Sequence, residues 1–248
     1  MIERTTAEPR RHRAGLRSRV PALLLLLLAA VPANAGPLPP SGEPPFCVPD
    51  VFMKQEIPEE DSGAIKRLRA YRLGSVVLAG MAIGESDAAS VAELAAGHEV
   101  TADERFCTWY VNRGNAAAEQ RFHQVYLPNP SSLSPDNAAR RYGELLGPAF
   151  AEGKGSIWWC LEEKGYLAVG CNGQKHRGPT VFGMVLAALG CSPENAAEIV
   201  NRIWGLNGVP PANRLAPIRQ AYDLGAERAG LHPRLRERVS GQAPVNQE

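Results

Sequence analysis

A cysteine and an arginine that lie six residues apart have the types and the spacing to do chemistry together. Cys171 follows the apolar run 166–170, which predicts a strand, and Arg177 ends the polar loop after it. Pro179 then stands where a helix has its first turn, ahead of the apolar run 181–189. If this loop folds back on itself, its backbone N–H groups converge at a helix N-terminus, where oxyanions such as phosphate bind.

The loop gives each of the two side chains a chemical role. Backbone N–H groups and the helix dipole favour the thiolate of Cys171, which is the nucleophilic form of a cysteine. Arg177 offers a planar fork of donors that matches two phosphate oxygens. The sequence therefore predicts a phosphate site built from the loop residues Asn172, Gly173, Gln174, Lys175, His176 and Arg177.

After this loop, the segments 180–189 and 190–200 have the pattern of a helix, a short turn and a second helix. The strand, the loop with five residues between Cys and Arg, and this helix pair resemble the cysteine-dependent phosphatases of the protein tyrosine and dual-specificity superfamily. The resemblance implies that Cys171 is a nucleophile that forms a phosphocysteine and that Arg177 clamps the phosphate. It also implies that no metal or organic cofactor takes part.

The chain departs from that family's pattern at three places in the loop. Gly170 stands where the family usually has a histidine. Gly173 follows the cysteine by two residues, whereas the family's glycine follows it by three. Gly178 and Pro179 follow the arginine, where the family usually has a serine or threonine.

An acidic residue before the loop is a candidate proton donor. Ser134 is placed as the N-cap and Pro135 as the first residue of an amphipathic helix that extends to about residue 151. In the phosphatases that the chain resembles, a loop some thirty to forty residues before the nucleophile carries an aspartic acid that protonates the leaving oxygen. Asp136 is the acid in that window, so the resemblance makes it the candidate. The alternative is that its carboxylate only stabilises the helix N-terminus.

The cysteine count bears on the reactivity of the loop. The chain has five cysteines, which are Cys47, Cys107, Cys160, Cys171 and Cys191. In an oxidising compartment an odd number leaves at least one of them unpaired. Two bridges among the other four would leave Cys171 free, as a nucleophile requires. A bridge between Cys160 and Cys171 is the alternative.

The N-terminal segment predicts export. Residues 1–35 have the pattern of a secretory signal peptide: a basic start, the apolar run 22–31, and small residues at Ala33 and Ala35 before the cleavage point. We expect a periplasmic or secreted protein with no stable membrane anchor after cleavage. Loss of the six arginines and two glutamates in this segment leaves a net charge of about −3. That charge provides no basic field for nucleic acid, so the expected partner is a phosphorylated substrate of unknown type.

Strands and helices alternate along the rest of the chain. This order predicts an α/β fold with a central mixed sheet flanked by helices, and the resemblance makes that fold phosphatase-like. Strands are predicted over residues 75–78, 106–111, 122–127 and 156–161, the last paired in a hairpin with 166–170; further helices are predicted over 62–71, 85–96 and 212–229. The predicted organisation is a signal peptide (1–35), a proline-rich linker that need not pack (36–46), a single α/β domain (47–231) and a frayed polar tail (232–248).

Two functions are consistent with these patterns. The first is an exported cysteine-dependent phosphatase that hydrolyses a phosphomonoester through a phosphocysteine at Cys171. The second is an exported, disulfide-stabilised module that binds an anionic or phosphorylated ligand, or a partner protein, without catalysis. A free thiol at Cys171 favours the first function, and a bridged Cys171 favours the second.

Overall fold

The centre of the fold, in the part of the chain that the structure describes, is a mixed sheet of five strands. The computed structural model describes residues 42–58, 68–82, 104–111, 123–205, 211–228 and 233–240. The strands are β1 (Arg69–Leu73), β2 (Val76–Ala82), β3 (Thr108–Tyr110), β4 (His123–Gln124) and β5 (Tyr166–Cys171). Their order across the sheet is β1-β2-β5-β3-β4. Only β1 and β2 pair antiparallel, and the other neighbours are parallel.

Strand β5 is the middle strand and ends in Cys171. Every residue of β5 is buried, as expected for a strand between two parallel neighbours with both faces covered. In the register with β2, Cys171 lies opposite Ala82, the last residue of that strand. Cys171 therefore lies at the carboxyl edge of the sheet, where open α/β sheets bind their ligands.

Seven helices accompany the sheet in the described parts of the chain. They are α1 (Pro49–Met53), α2 (Pro135–Phe150), α3 (Ile157–Trp159), α4 (Arg177–Ala188), α5 (Pro193–Trp204), α6 (Pro211–Arg228) and α7 (Pro233–Ser240). The predicted α/β fold with a mixed sheet flanked by helices is confirmed. None of the helices in these ranges combines the length and the apolar character that crossing a bilayer requires.

The helix start predicted from the capping residue Ser134 is confirmed, and Ser192 caps a second helix. The Ser134 side chain accepts a hydrogen bond from the Asn137 backbone N–H at the start of α2. Ser192 accepts one from Asn195 in the same way at the start of α5. Each serine is followed by a proline at the first helical position, where the missing N–H costs nothing.

Helices α4 and α6 pack closely and run in the same direction. A β-carbon added to Gly183 of α4 would lie 2.7 Å from Cδ1 of Ile218 in α6. Further along both helices, a β-carbon added to Gly225 of α6 would lie 2.3 Å from the carbonyl oxygen of Ala188. Since residue numbers rise together along this contact, the two helices are parallel.

Helix α2 packs against α6 in the same sense. The Asn213 side chain in the first turn of α6 donates to the carbonyl of Leu133, just before α2 begins. Seven residues further along α6, Gln220 packs against Gly143 of α2. A β-carbon added to Gly143 would lie 2.2 Å from Nε2 of Gln220. The N-termini of α2, α4 and α6 therefore lie at one end of the molecule, the end at which β5 delivers Cys171.

Two disulfides join four of the five cysteines. Cys47 bonds to Cys191 and Cys107 bonds to Cys160, while Cys171 is unpaired and buried. The alternative bridge between Cys160 and Cys171 is thereby contradicted. Disulfides are typical of oxidising compartments, in line with the environment that the sequence predicts.

The predicted hairpin before β5 is wrong. Residues 157–164 form helix α3 followed by a π-helical segment, Cys160–Lys164, instead of a strand. The Ser156 side chain caps this helix by accepting from the Trp159 N–H, and Gly165, with φ 74°, ends it in the left-handed conformation. The run of large apolar residues resembles a strand, but the cap and the glycine fix a helix.

Other predicted boundaries are corrected or lie outside the described residues. The predicted helix over 62–71 is wrong at its end, because Arg69–Leu73 form β1 paired with β2; residues 59–67 are outside the described ranges. The strands predicted over 106–111 and 122–127 are shorter, since Glu104–Cys107 are 3-10 helical and β4 spans two residues. The signal peptide and the helix over 85–96 also lie outside the described residues.

The linker and the tail both contribute contacts. Phe46 in the predicted linker is buried, and the Glu43 carboxylate accepts a hydrogen bond from the Ser192 N–H at 2.6 Å, so this end of the linker contacts the rest of the fold. The tail forms α7, whose Leu235 and Val239 are buried. The prediction of a frayed tail is therefore wrong for residues 233–240. This amphipathic segment covers apolar surface that the sheet would otherwise expose.

Candidate functional site

The candidate site is the thiol loop, residues 171–177, between the end of β5 and the start of α4. Cys171 is 4% exposed and forms no disulfide. After it, Asn172 and Lys175 are exposed, and Gly173, His176 and Arg177 are half-buried. The sequence placed the strand, the loop and the following helix correctly, and α4 begins at Arg177 itself, two residues before Pro179.

Gln174 holds the thiol loop to the end of β5. Its side chain is 3% exposed, its Oε1 accepts from the Cys171 backbone N–H at 3.3 Å, and its Nε2 donates to the Val169 carbonyl at 3.5 Å. Its φ is 45°, the left-handed conformation that glycine adopts most readily. Gln174 thus adopts, three residues after the cysteine, a backbone conformation that its own side-chain bonds to β5 accompany.

Two glycines make room for the Gln174 side chain. A β-carbon added to Gly178 would lie 2.3 Å from Oε1 of Gln174. One added to Gly80 of β2 would lie 2.9 Å from Nε2 of Gln174 and 2.4 Å from the Trp204 ring. Gly178, the departure directly after the arginine, therefore follows from packing against Gln174.

Arg177 faces the segment that precedes α2. Its Nε donates to the carbonyl of Leu127 at 2.8 Å, across fifty residues of sequence. Leu127 begins the proline loop, which we define as residues 127–133. The guanidinium of the predicted phosphate clamp is therefore oriented by this loop.

Tyr142 of α2 is a member of the site that the sequence did not single out. It is fully buried, and its hydroxyl donates to the carbonyl of Pro128 in the proline loop at 3.0 Å. Burial raises the pKa of the Tyr142 phenol, the charge of Arg177 lowers it, and Cys171 raises it. Tyr142 therefore lies near both Arg177 and Cys171, and the helical spacing of α2 was the signal for its buried position.

The proline loop is fixed from three sides. Asn213 of α6 donates to the carbonyls of Pro130 and Leu133, in addition to the bonds from Arg177 and Tyr142. The Asn129 carboxamide oxygen accepts from the backbone N–H of Ser131 at 3.1 Å and from its hydroxyl at 2.7 Å. Side chains of α2, α4 and α6 therefore converge on one short loop beside the thiol.

The candidate acid lies at the edge of this arrangement. Asp136 is in the first turn of α2, and its side chain is exposed. Six residues separate it from Tyr142, which is nearly two turns of the helix. Its role as a proton donor stays a prediction.

The thiol loop carries positive charge. Lys175 and Arg177 flank His176, whose pKa is lowered by burial and then by the charges of Arg177 and Lys175. The His176 carbonyl accepts from the Thr180 N–H at 3.1 Å and from its hydroxyl at 2.8 Å, which closes the first turn of α4. An anion in the loop would be stabilised by these charges and by the helix N-terminus.

One group of potential metal ligands occurs elsewhere among the described residues. Glu43, Cys47 and Cys191 lie within 4.8 Å of one another. Both sulfur atoms belong to the Cys47–Cys191 disulfide and are not thiolates, so this group lacks the donors of a metal site.

Comparison with known proteins gives no relative. No protein-family model matches the chain, and no curated protein or solved structure matches it.

Proposed function

We propose that this protein is an exported cysteine-dependent phosphatase that hydrolyses a phosphomonoester through a phosphocysteine on Cys171. The single observation that carries the proposal is the state of Cys171. Four cysteines are bridged, and the one left over ends the central strand, six residues before a helix that begins with Arg177.

The reaction would proceed in two displacements. The Cys171 thiolate attacks phosphorus, the S–P bond forms, and the bond from phosphorus to the leaving oxygen breaks. The leaving oxygen takes a proton, for which Asp136 is the candidate donor. Water then attacks the phosphocysteine, which releases inorganic phosphate and restores the thiolate, while the proton of the water passes to solvent.

Arg177 and the loop amides would stabilise the charge on the transferred phosphoryl group. Arg177 begins α4, so its guanidinium and the helix N-terminus act on the same space. Its bond to the Leu127 carbonyl would hold the guanidinium ready for the phosphate. Asn172, Gly173, Gln174, Lys175 and His176 would contribute backbone N–H groups or positive charge.

The proposal is tested by hydrolysis of p-nitrophenyl phosphate by the purified mature chain. We expect Cys171→Ser to reduce kcat by at least about a thousandfold, because the serine hydroxyl has no adjacent base to activate it. The assay contains EDTA, which silences contaminating metal-dependent phosphatases. Phosphate should protect the wild-type thiol from iodoacetamide. Full activity in Cys171→Ser would remove the proposal.

A second candidate function is an exported module that binds an anionic ligand without turnover. Two observations favour it: Cys171 is nearly inaccessible, and the Gln174 carboxamide already accepts from the Cys171 N–H. The module predicts phosphate binding by calorimetry together with no turnover of any aryl phosphate. It also predicts that native Cys171 resists alkylation whether or not phosphate is present.

A further inference from the structure

Arg214 is a buried cation with no counter-charge among the described residues. It is the fourth residue of α6 and is 6% exposed. Its Nη1 is buried with no hydrogen-bond partner, and it forms no ion pair with a carboxylate in the described ranges. Burial lowers the pKa of Arg214, and no acidic group offsets that effect.

The place of Arg214 in its helix makes this charge more unusual. A cation in the first turn of a helix opposes the helix dipole, which is positive at that end. Asp and Glu are the charged residues usually favoured there, whereas α6 has no acidic residue in its first turn. Both burial and the dipole therefore act against Arg214 in the absence of an anion.

The register of α6 against α4 puts Arg214 at the same end of the molecule as Arg177. Ile218 contacts Gly183, and the two helices run parallel. One turn back along both helices, residue 214 is level with residue 179, in the first turn of α4. Asn213, the neighbour of Arg214, binds the proline loop that also accepts from Arg177.

We propose that Arg214 is a second anion clamp, which selects substrates that carry another phosphate or carboxylate group beside the phosphate that is cleaved. The inference rests on the proposed phosphatase function. Two guanidinium groups, in the first turns of parallel helices, would bind the two anionic groups of one ligand. A bidentate bond to an anion supplies both the missing hydrogen-bond partner and the missing negative charge.

Matched aryl substrates test the selection. The assay compares phenyl phosphate with the 1,2-, 1,3- and 1,4-benzenediol bisphosphates, whose second phosphate lies at three different distances. We expect wild type to prefer at least one bisphosphate by about tenfold in kcat/KM per phosphate, as one added ion pair with a buried guanidinium allows. Arg214→Gln should lose that preference and keep its kcat on phenyl phosphate, while Arg214→Lys should keep part of it.

The control is Arg219→Gln in the same helix. Arg219 is exposed and pairs with Glu194 of α5 on the surface, so its loss removes the same charge without touching the end that carries Arg177. We expect Arg219→Gln to keep the bisphosphate preference. An equal preference in wild type and Arg214→Gln would overturn the inference.

Thermal unfolding separates a ligand clamp from a structural arginine. Without ligand, Arg214→Met should raise Tm by about 2 to 4 °C, because it removes a buried charge that lacks a partner. Inositol hexakisphosphate, as a polyanionic probe, should raise the Tm of wild type more than that of Arg214→Met. A fall in Tm for ligand-free Arg214→Met, with equal shifts on adding the probe, would mean that Arg214 is structural and would overturn the inference.

The same probe distinguishes failure of this inference from failure of the proposed function. Calorimetry with Cys171→Ser and inositol hexakisphosphate measures binding without chemistry. If the wild type hydrolyses no phosphate ester but Arg214→Gln weakens binding of the probe about tenfold, the proposed anion clamp is retained and the proposed phosphatase function is rejected. If phenyl phosphate is hydrolysed but nothing measured depends on Arg214, the phosphatase function is retained and the anion clamp is rejected.

Discussion

Gln174 shows how a single side chain shapes the thiol loop. A residue other than glycine in the left-handed conformation costs roughly 1 to 2 kcal/mol, and hydrogen bonds of about 1 kcal/mol each offset it. Its two bonds to β5 are such compensations. The Cys and Arg of this loop could be predicted because their spacing is visible in the sequence. Gln174, Tyr142 and Arg214 could not, because their roles depend on which distant backbone groups surround them.

His176 provides a prediction on pH. Its pKa is lowered by burial and by the neighbouring cations, so the folded protein holds it neutral at pH 7. Since an unfolded histidine binds its proton near pH 6.5, stability should fall as the pH drops below about 6.5. An anion in the thiol loop opposes the cations, and we expect phosphate to raise the pKa of His176. Proton NMR titration of the ring, assigned with His176→Asn, measures this shift.

His123 is the control within the same spectrum. Its pKa is lowered by burial alone, and it belongs to β4 at the edge of the sheet. We expect phosphate to leave His123 unchanged. If His176 titrates identically with and without phosphate, the thiol loop does not hold the anion.

At the scale of elements, local signals decided which predictions succeeded. The cap at Ser134 is short-range chemistry that could be predicted from the sequence, and α2 begins directly after it. The prediction of a strand over residues 156–161 was wrong. Tryptophan and isoleucine favour strands, but the Ser156 cap and the disulfide at Cys160 favour the helix that forms. The prediction of a frayed tail was wrong for a similar reason, because the apolar residues of this segment have a surface to pack against only in the folded protein.

Tyr142 tests how the elements hold the proline loop. Tyr142→Phe removes the hydroxyl that donates to Pro128 and leaves that carbonyl without this donor. We expect the free energy of unfolding in urea to fall by about 1 kcal/mol, with faster hydrogen exchange in residues 127–133.

Tyr126→Phe is the matched control for this change. Tyr126 lies next to the proline loop and is 55% exposed, so the same chemical change should alter stability by less than about 0.5 kcal/mol. An effect of Tyr142→Phe no larger than that of the control would show that the hydroxyl does not hold the loop.

At the scale of the whole molecule, the two disulfides join segments that lie far apart in the sequence. The fold class could be predicted because strands alternate with helices. The odd count predicted that at least one cysteine is unpaired, but it left open whether that cysteine is Cys171. The strand order and the parallel packing of α2, α4 and α6 could not, because they arise from contacts between residues far apart in the chain. The Cys47–Cys191 bridge spans 144 residues and the Cys107–Cys160 bridge spans 53.

Removing each bridge gives a prediction on global stability. We expect replacement of both cysteines by alanine to cost about 2 to 5 kcal/mol per bridge, because an open chain gains entropy when unfolded. The longer loop should cost about 1 kcal/mol more than the shorter one on the same account. Urea denaturation of the two double variants measures the difference. Equal stability of wild type with and without dithiothreitol would contradict this expectation.

Gly225 of α6 gives the packing of α6 against α4 a further meaning. A β-carbon there would lie 2.3 Å from the carbonyl oxygen of Ala188, a backbone atom that no rotamer change can move aside, so this contact limits how far α6 can slide along α4. A slip of one turn would carry Arg214 about 5.4 Å along its axis, away from the first turn of α4 that carries Arg177. The missing side chain of Gly225, near the C-terminal ends of both helices, thus keeps the two arginines together at the opposite end.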